Sequence, residues 1–259
     1  MKRSVVIIGT GGVAESLAWA VTQSAELDLV QVWGRNQTRV AEIAYDVDTG
    51  EGGESLWDLD LADIYILAVS DRAIASISRL LEFPRESIVV HTAGSISMDE
   101  IAHPQRGVIY PFQSFSAGHV VPFERVPLFV EGSDEATTRE ITEVARELSP
   151  SVQLLGGEAR RRLHLCGVFA SNFVNSMLGV AADIAQSNGI EPSLMRPLVE
   201  QTIAKAFEAD DPRQVQTGPA VRGDKATQER HCELLEGDDR VKEIYNLMSQ
   251  YIWETSKKM

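Results

Sequence analysis

Ser4-Val5-Val6-Ile7-Ile8-Gly9-Thr10-Gly11-Gly12-Val13-Ala14 decides how the rest of the chain is read. A run of apolar, mostly β-branched residues meets a glycine-rich turn, and helix-forming residues follow. Gly9, Gly11 and Ala14 occupy the fixed positions of a G-x-G-x-x-A pattern. Gly9 lets the chain turn sharply out of a strand, Gly11 lets backbone approach a pyrophosphate, and Ala14 lets the helix pack against the strand. The helix start would offer N–H groups and the positive end of its dipole to phosphate oxygens. The pattern assigns Gly9, Thr10, Gly11, Gly12 and Val13 to dinucleotide binding. The alternative is an unliganded turn in the same kind of fold.

Outward from this turn, residues 13–24 read as a helix and 29–33 as the second strand. NAD-preferring sites place Asp or Glu at the end of that strand to hold the ribose 2′-hydroxyl. This chain has Trp33-Gly34-Arg35-Asn36, then Arg39, while Glu26 and Asp28 stand at the strand's other end. A guanidinium in place of the carboxylate suits a 2′-phosphate. Arg35 and Asn36 are therefore assigned to the cofactor, and NADP is expected. The alternatives are a surface arginine and an Asn36 that caps the next helix.

Further strands are expected at 64–69, 87–91, 107–110, 128–132 and 152–155. Helical patterns lie between them at 39–44, 72–81 and 134–148. The acidic stretch 46–60, broken by Gly50, Gly52 and Gly53, reads as a short strand with loops. Alternating strands and helices predict an α/β fold with a doubly wound, mostly parallel sheet. Ligands sit at the carboxyl ends of such strands. That places Ala68, Val69, Ser70, His91 and Thr92 beside the cofactor. Asp71 is expected to cap the following helix. His91 is either an acid or base at the pocket rim or a residue bonded to nearby backbone. Pro111-Phe112-Gln113-Ser114-Phe115 reads either as an apolar wall with one polar contact or as a loop closing the core.

Strand signals stop at Gly156-Gly157, which divides the chain into a sheet domain, 1–156, and an all-helical domain, 157–259. Residues 163–187 form a long apolar helix on which His164, Val168, Asn172, Asn175 and Gly179 share one stripe. Asn172 and Asn175 need polar partners, either a substrate or another helix. The surplus of small and apolar residues over 166–185 predicts a homodimer joined through the helical domain. The stretch 210–225 carries too many turn residues for a spacer and reads as a functional loop. His164, Asn172, Arg222, Asp224 and His231 are the catalytic candidates. His164 is the expected proton donor and Asn172 an orienting group. Arg222 could hold a substrate carboxylate, with Asp224 fixing the loop. The alternative is that His164 and His231 only cap and pack helices.

The 259 residues carry a formal charge of −14, which opposes nucleic acid and an anionic membrane as partners. No run reaches the roughly 18 apolar residues of a membrane span. Gly9–Gly12 interrupts any signal-peptide core behind Met1-Lys2-Arg3, so a cytoplasmic protein is expected. Cys166 and Cys232 read as reduced, buried thiols. The five histidines form no metal motif, so no metal is expected. Hydrolase and NTPase signatures are missing as well.

Several segments together resemble one family: 9–14, Ala68-Val69-Ser70-Asp71, His91-Thr92-Ala93-Gly94, 110–115, 164–172, and above all 217–224 with Thr227 and His231. They are similar to Rossmann-type proteins with a C-terminal domain of unknown function, DUF2520. These are distant relatives of pyrroline-5-carboxylate reductase and the F420-dependent NADP reductases. The resemblance implies a Rossmann domain followed by a dimerising helical domain, with the cleft completed on dimerisation. It also implies hydride transfer between NADPH and a small carbonyl or imine compound. A non-enzymatic NADP-binding sensor or scaffold is the alternative. One position departs from the pattern: Tyr110 stands where the family commonly has histidine.

Overall fold

Along each central strand, alternate residues separate into two buried sets. Val5, Ile7, Ile64, Ile66 and Val90 pack with Leu17, Val21, Ile141 and Val144 on one face of the sheet. Val6, Ile8, Tyr65, Leu67 and Val89 pack with Trp33, Ile74, Ile77 and Leu81 on the other. Burial on both faces is why these strands read as continuous apolar runs rather than alternating ones.

The computed structural model describes residues 2–47 and 59–257. Seven strands form one sheet: β1 (Arg3–Ile8), β2 (Leu27–Trp33), β3 (Ile64–Leu67), β4 (Ile88–His91), β5 (Arg106–Pro111), β6 (Leu128–Gly132) and β7 (Val152–Leu154). Their order is β2-β1-β3-β4-β5-β6-β7. The first five run parallel, β6 is antiparallel to β5, and β7 is parallel to β6. Helices α1 (Gly12–Gln23), α2 (Gln37–Asp46), α3 (Ile74–Leu80) and α4 (Glu135–Leu148) flank the sheet. The expected mostly parallel Rossmann sheet is therefore present. The strand expected within 46–60 falls largely on residues 48–58, which lie outside the described residues.

The chain forms two compact units, Met1–Phe173 and Val174–Met259. The change from strand to helix lies at 155–156, between β7 and α5 (Gly157–Gly167), but α5 belongs to the sheet unit. Polar and packing partners explain this. Arg160 pairs with Glu131 of β6, and a Cβ on Gly167 would stand 2.9 Å from the Phe112 ring. A π-helical turn, Val168–Phe173, closes the first unit.

The second unit is helical, with α6 (Val174–Ser187), α7 (Arg196–Glu208), α8 (Pro219–Arg222), α9 (Lys225–Leu234) and α10 (Asp239–Ser256). No strand follows β7 among the described residues. Gly223 has φ +64°, and a Cβ there would meet the Trp253 ring of α10 at 2.9 Å. Only Ala185 and Ala220 are buried among this unit's described residues, whereas Leu194, Leu198, Phe207, Leu234 and Tyr251 are more than half exposed.

Two expectations change. Cys166 is exposed and Cys232 half-buried, both as free thiols, because the helical faces that carry them are not covered within this chain. The absence of a membrane-length apolar segment does not hold either. Gly157–Ser187 runs as one helix that is long and apolar enough, by length and composition, to cross a membrane. Scattered polar residues such as Ser171, Asn172 and Asn175 interrupt the apolar run without lowering its average far. The first part of this helix nevertheless has protein partners on the sheet, as Arg160 and Gly167 show.

Candidate functional site

Four strand ends are stitched together at the carboxyl edge of the sheet by three hydrogen bonds. Gly9 N–H donates to the Trp33 carbonyl at 2.8 Å, Ala68 N–H to Ile8 at 2.8 Å, and Thr92 N–H to Leu67 at 3.3 Å. Gly9 has φ +141°, and a Cβ there would lie 2.1 Å from the Ala68 carbonyl oxygen. Only glycine meets both conditions. At Gly11 a Cβ would meet nothing within 4 Å, so open space adjoins the helix start. Gly11 is also the N-cap of α1 and gives it no side-chain cap. The first-turn N–H groups of α1 lack intrahelical partners. This cradle fits the pyrophosphate of a dinucleotide. Thr10 packs against Gly34, Val69 is half-buried, and Ser70 is exposed at the same edge.

At the end of β2, Arg35 and Asn36 are exposed. Asn36 caps α2, its Oδ1 accepting from Arg39 N–H at 3.2 Å. The Arg39 guanidinium pairs with Glu15 at 3.1 Å and Glu42 at 2.6 Å. These partners, Glu42 foremost, raise its pKa above the ordinary arginine value. Arg35 has no carboxylate partner among the described residues, which leaves it free to meet a phosphate.

Beside the glycine turn lies a cleft of about 400 Å³. Val13, Tyr110, Phe112 and Phe115 form one part of its lining, and His164, Gly167, Val168, Ala170, Ser171 and Asn172 another. Gln113 and Ser114 add neutral polar groups. Within the cleft the Tyr110 hydroxyl lies 3.1 Å from His164 Nδ1. A Cβ on Gly94 would fall 2.7 Å from both His164 Nδ1 and Tyr110 Cζ, so the end of β4 presses against this pair. Burial holds the Tyr110 phenol above its usual pKa, partly offset by the Arg160 charge. The phenol is therefore protonated at neutral pH.

Behind the cleft sits a charge pair whose guanidinium is buried and whose carboxylate is partly exposed. Arg160 is fully buried and bonds Glu131 and, at 2.6 Å, the Ile96 carbonyl. Glu131 also accepts the Gly157 N–H at 2.9 Å, which fixes the start of α5, the helix that carries His164. His91, expected at the rim, is instead wholly buried. Its Nδ1 accepts from Ala93 N–H at 3.1 Å. Burial first, and the Arg160 charge second, lower its pKa from 6.5 to about 4. It is neutral and structural, the alternative foreseen from its position. The Asp71 expectation changes too. Asp71 opens a short 3₁₀ turn without capping through its side chain, and its carboxylate accepts from Ser95 Oγ at 2.6 Å.

His164 and Asn172 thus share one cleft. Arg222, Asp224 and His231 belong to the second unit. There Asp224 caps α9 through Thr227, His231 Nδ1 lies 2.8 Å from the Tyr245 hydroxyl, and Arg222 is exposed at the end of α8. Sequence reasoning missed Tyr110 as a polar partner, together with Glu15, Glu131 and Arg160. A carboxylate ending the apolar run Leu128-Phe129-Val130-Glu131 was the one available signal.

The family model for a domain of unknown function, DUF2520, matches residues 126–252. A Bacteroides fragilis crystal structure, provisionally designated an NADP oxidoreductase, is 34% identical over 98% of both chains, with a TM-score of 0.90. A pyrroline-5-carboxylate reductase from Streptococcus pyogenes is 15% identical over 100% of this chain and 99% of its own, with a TM-score of 0.63. A reductive aminase from Aspergillus terreus, solved with NADPH and ethyl-5-oxohexanoate, is 10% identical over 100% of this chain and 95% of its own, with a TM-score of 0.71. The last two likenesses are of fold. No curated protein matches the sequence.

Proposed function

The chain belongs to the family of Rossmann-domain proteins that end in a DUF2520 domain, and we propose that it is an NADP-dependent oxidoreductase acting on a small carbonyl or imine compound. The observation that carries this is the Tyr110–His164 pair, set in a mainly apolar cleft that reaches Val13 of the glycine turn. The provisional designation of the Bacteroides protein and the NADPH of the Aspergillus enzyme favour the same chemistry.

Gly9 to Val13 hold the pyrophosphate, and Arg35 meets the 2′-phosphate. Ala68 to Ser70 and Thr92 border the cofactor through their backbone. NADPH supplies the hydride when bound. The protein must then position the acceptor, exclude water and provide one proton. Phe112, Phe115 and Val168 supply the apolar walls. Asn172 and Gln113 orient the substrate's heteroatom. With His164 Nδ1–H donated to the phenol oxygen, the Tyr110 hydroxyl proton is free for the substrate, and the phenolate takes its proton back from His164 Nδ1 as Nε2 picks up one from solvent. Arg222, Asp224 and His231 remain the second unit's candidates for substrate binding. The exposed apolar side chains of that unit favour a homodimer. A cytoplasmic location and the absence of nucleic-acid and membrane partners complete the proposal.

Titration with NADPH and NADH, followed by turnover on a panel of small ketones, aldehydes and cyclic imines, tests it. Arg35→Ala should cost NADPH about 1.5–3 kcal/mol of binding, the worth of a charge-assisted hydrogen bond, and NADH far less. Tyr110→Phe should lower turnover at nearly unchanged NADPH affinity. Tight NADPH binding without turnover of any compound would leave the sensor or scaffold instead.

A further inference from the structure

We propose that Glu15 sets the dinucleotide preference by withholding Arg39 from the 2′-phosphate; this rests on the NADP-binding function proposed above. Glu15 directly follows the glycine pattern and lies in the first turn of α1, the helix end that faces the cofactor. Nothing in the pattern calls for a carboxylate there. A carboxylate so placed competes with a pyrophosphate for the positive end of the helix dipole.

Its surroundings show what holds it. Glu15 is 6% exposed. One of its oxygens takes both the Arg39 guanidinium at 3.1 Å and the Gly118 N–H at 2.7 Å. A second guanidinium nitrogen of Arg39 is bound by Glu42 at 2.6 Å. Arg39 therefore faces two carboxylates, and the three groups together carry one negative charge. Arg39 stands in the first turn of α2, its own N–H on Asn36. Arg35 immediately precedes that cap. Two arginines thus flank one helix start, one without a carboxylate partner among the described residues and one neutralised. The chain reads the phosphate with a single guanidinium while a second stands bound beside it.

Glu15 also ties the loop over α1. Gly118 bonds to it, Val121 N–H donates to Ser16 Oγ at 3.1 Å, and a Cβ on Gly12 would lie 2.6 Å from the Ser116 backbone. A purely structural role for Glu15 would therefore also account for its burial. Glu15→Gln separates the two roles, because the amide oxygen still accepts from Gly118 while the negative charge is gone.

The experiment measures dissociation constants of NADPH and NADH by cofactor fluorescence for wild type, Glu15→Gln and Glu15→Gln/Arg39→Ala, with melting temperatures alongside. Glu15→Gln is expected to raise the NADPH-over-NADH affinity ratio by about tenfold, the worth of one charge-assisted hydrogen bond. The double variant should lose that gain. An unchanged ratio, an equal gain for both cofactors, or a gain that survives without Arg39 overturns the inference. If Glu15→Gln does not fold, Glu42→Gln at the exposed end of the triad carries the test. It should raise the ratio in the same direction, and an unchanged ratio there is equally fatal. Wild type that binds NADPH, and loses it on Arg35→Ala, keeps the proposed function whatever Glu15 does. Wild type that binds neither cofactor overturns both.

Discussion

Glu131→Leu should be among the most damaging single changes in the sheet unit. Arg160 has no exposed surface, and Glu131 is its only carboxylate partner among the described residues. Without Glu131, the guanidinium keeps one hydrogen bond, to the Ile96 carbonyl. Removing one member of a buried pair costs about 3–5 kcal/mol, because the other charge stays buried and uncompensated. Loss of the Gly157 N–H acceptor adds about 1 kcal/mol. Together these consume a large part of the roughly 5–15 kcal/mol that holds a domain folded. Glu131→Leu/Arg160→Met removes both charges and replaces them with apolar groups, so it should return to within about 1–2 kcal/mol of wild type. Urea unfolding followed by circular dichroism gives the three free energies. A Glu131→Leu cost below about 1 kcal/mol, or a double variant no more stable than the single one, would show that Arg160 reaches water and that the pair does not anchor α5.

Acid should unfold the protein partly through His91. Its folded pKa of about 4 lies below the ordinary 6.5, so the unfolded chain binds more protons between those values. Stability is therefore full above about pH 6.5 and falls toward pH 4, by about 3 kcal/mol from this residue. His91→Asn should flatten that part of the stability profile, and an unchanged slope would rule His91 out. Gly94→Ala puts a methyl group 2.7 Å from His164 Nδ1 and Tyr110 Cζ. It should cost about 1–3 kcal/mol by overpacking and slow turnover as Tyr110→Phe does; normal turnover would mean that the pair is dispensable. Light scattering should return about twice the 28.5 kDa chain mass, and a persistent monomer at micromolar concentration would leave the exposed face of the second unit unexplained.

The fold was legible where both faces of an element are buried. Val5 to Ile8, Ile64 to Leu67 and Ile88 to Val90 can only be central strands, because each residue packs on one side or the other. The glycine turn was legible because its spacing states a steric demand, and Gly9 against Ala68 is that demand met. The antiparallel turn of β6 was not legible, since an apolar strand reads alike in either direction. Nor was the cover of the second unit. An apolar helical stripe announces that something must bury it, not whether that is the same chain, and Cys166, on such a stripe, is exposed.

Charges were the least legible part of the site. Arg160-Arg161-Arg162 looks like a solvated run, yet helix geometry turns only the first toward β6, where Glu131 ends an apolar strand. Partners so far apart in sequence leave no local pattern. The position of Tyr110 shows the consequence for chemistry. Its departure from histidine takes an imidazole away from the strand end. The fold brings His164 of α5 to 3.1 Å from the phenol oxygen, so an imidazole still stands beside that strand end, supplied by another element. Glu131 holds the start of that element through Gly157 and Arg160. The Glu131–Arg160 pair therefore acts on the cleft by fixing where His164 stands, without either residue lining it.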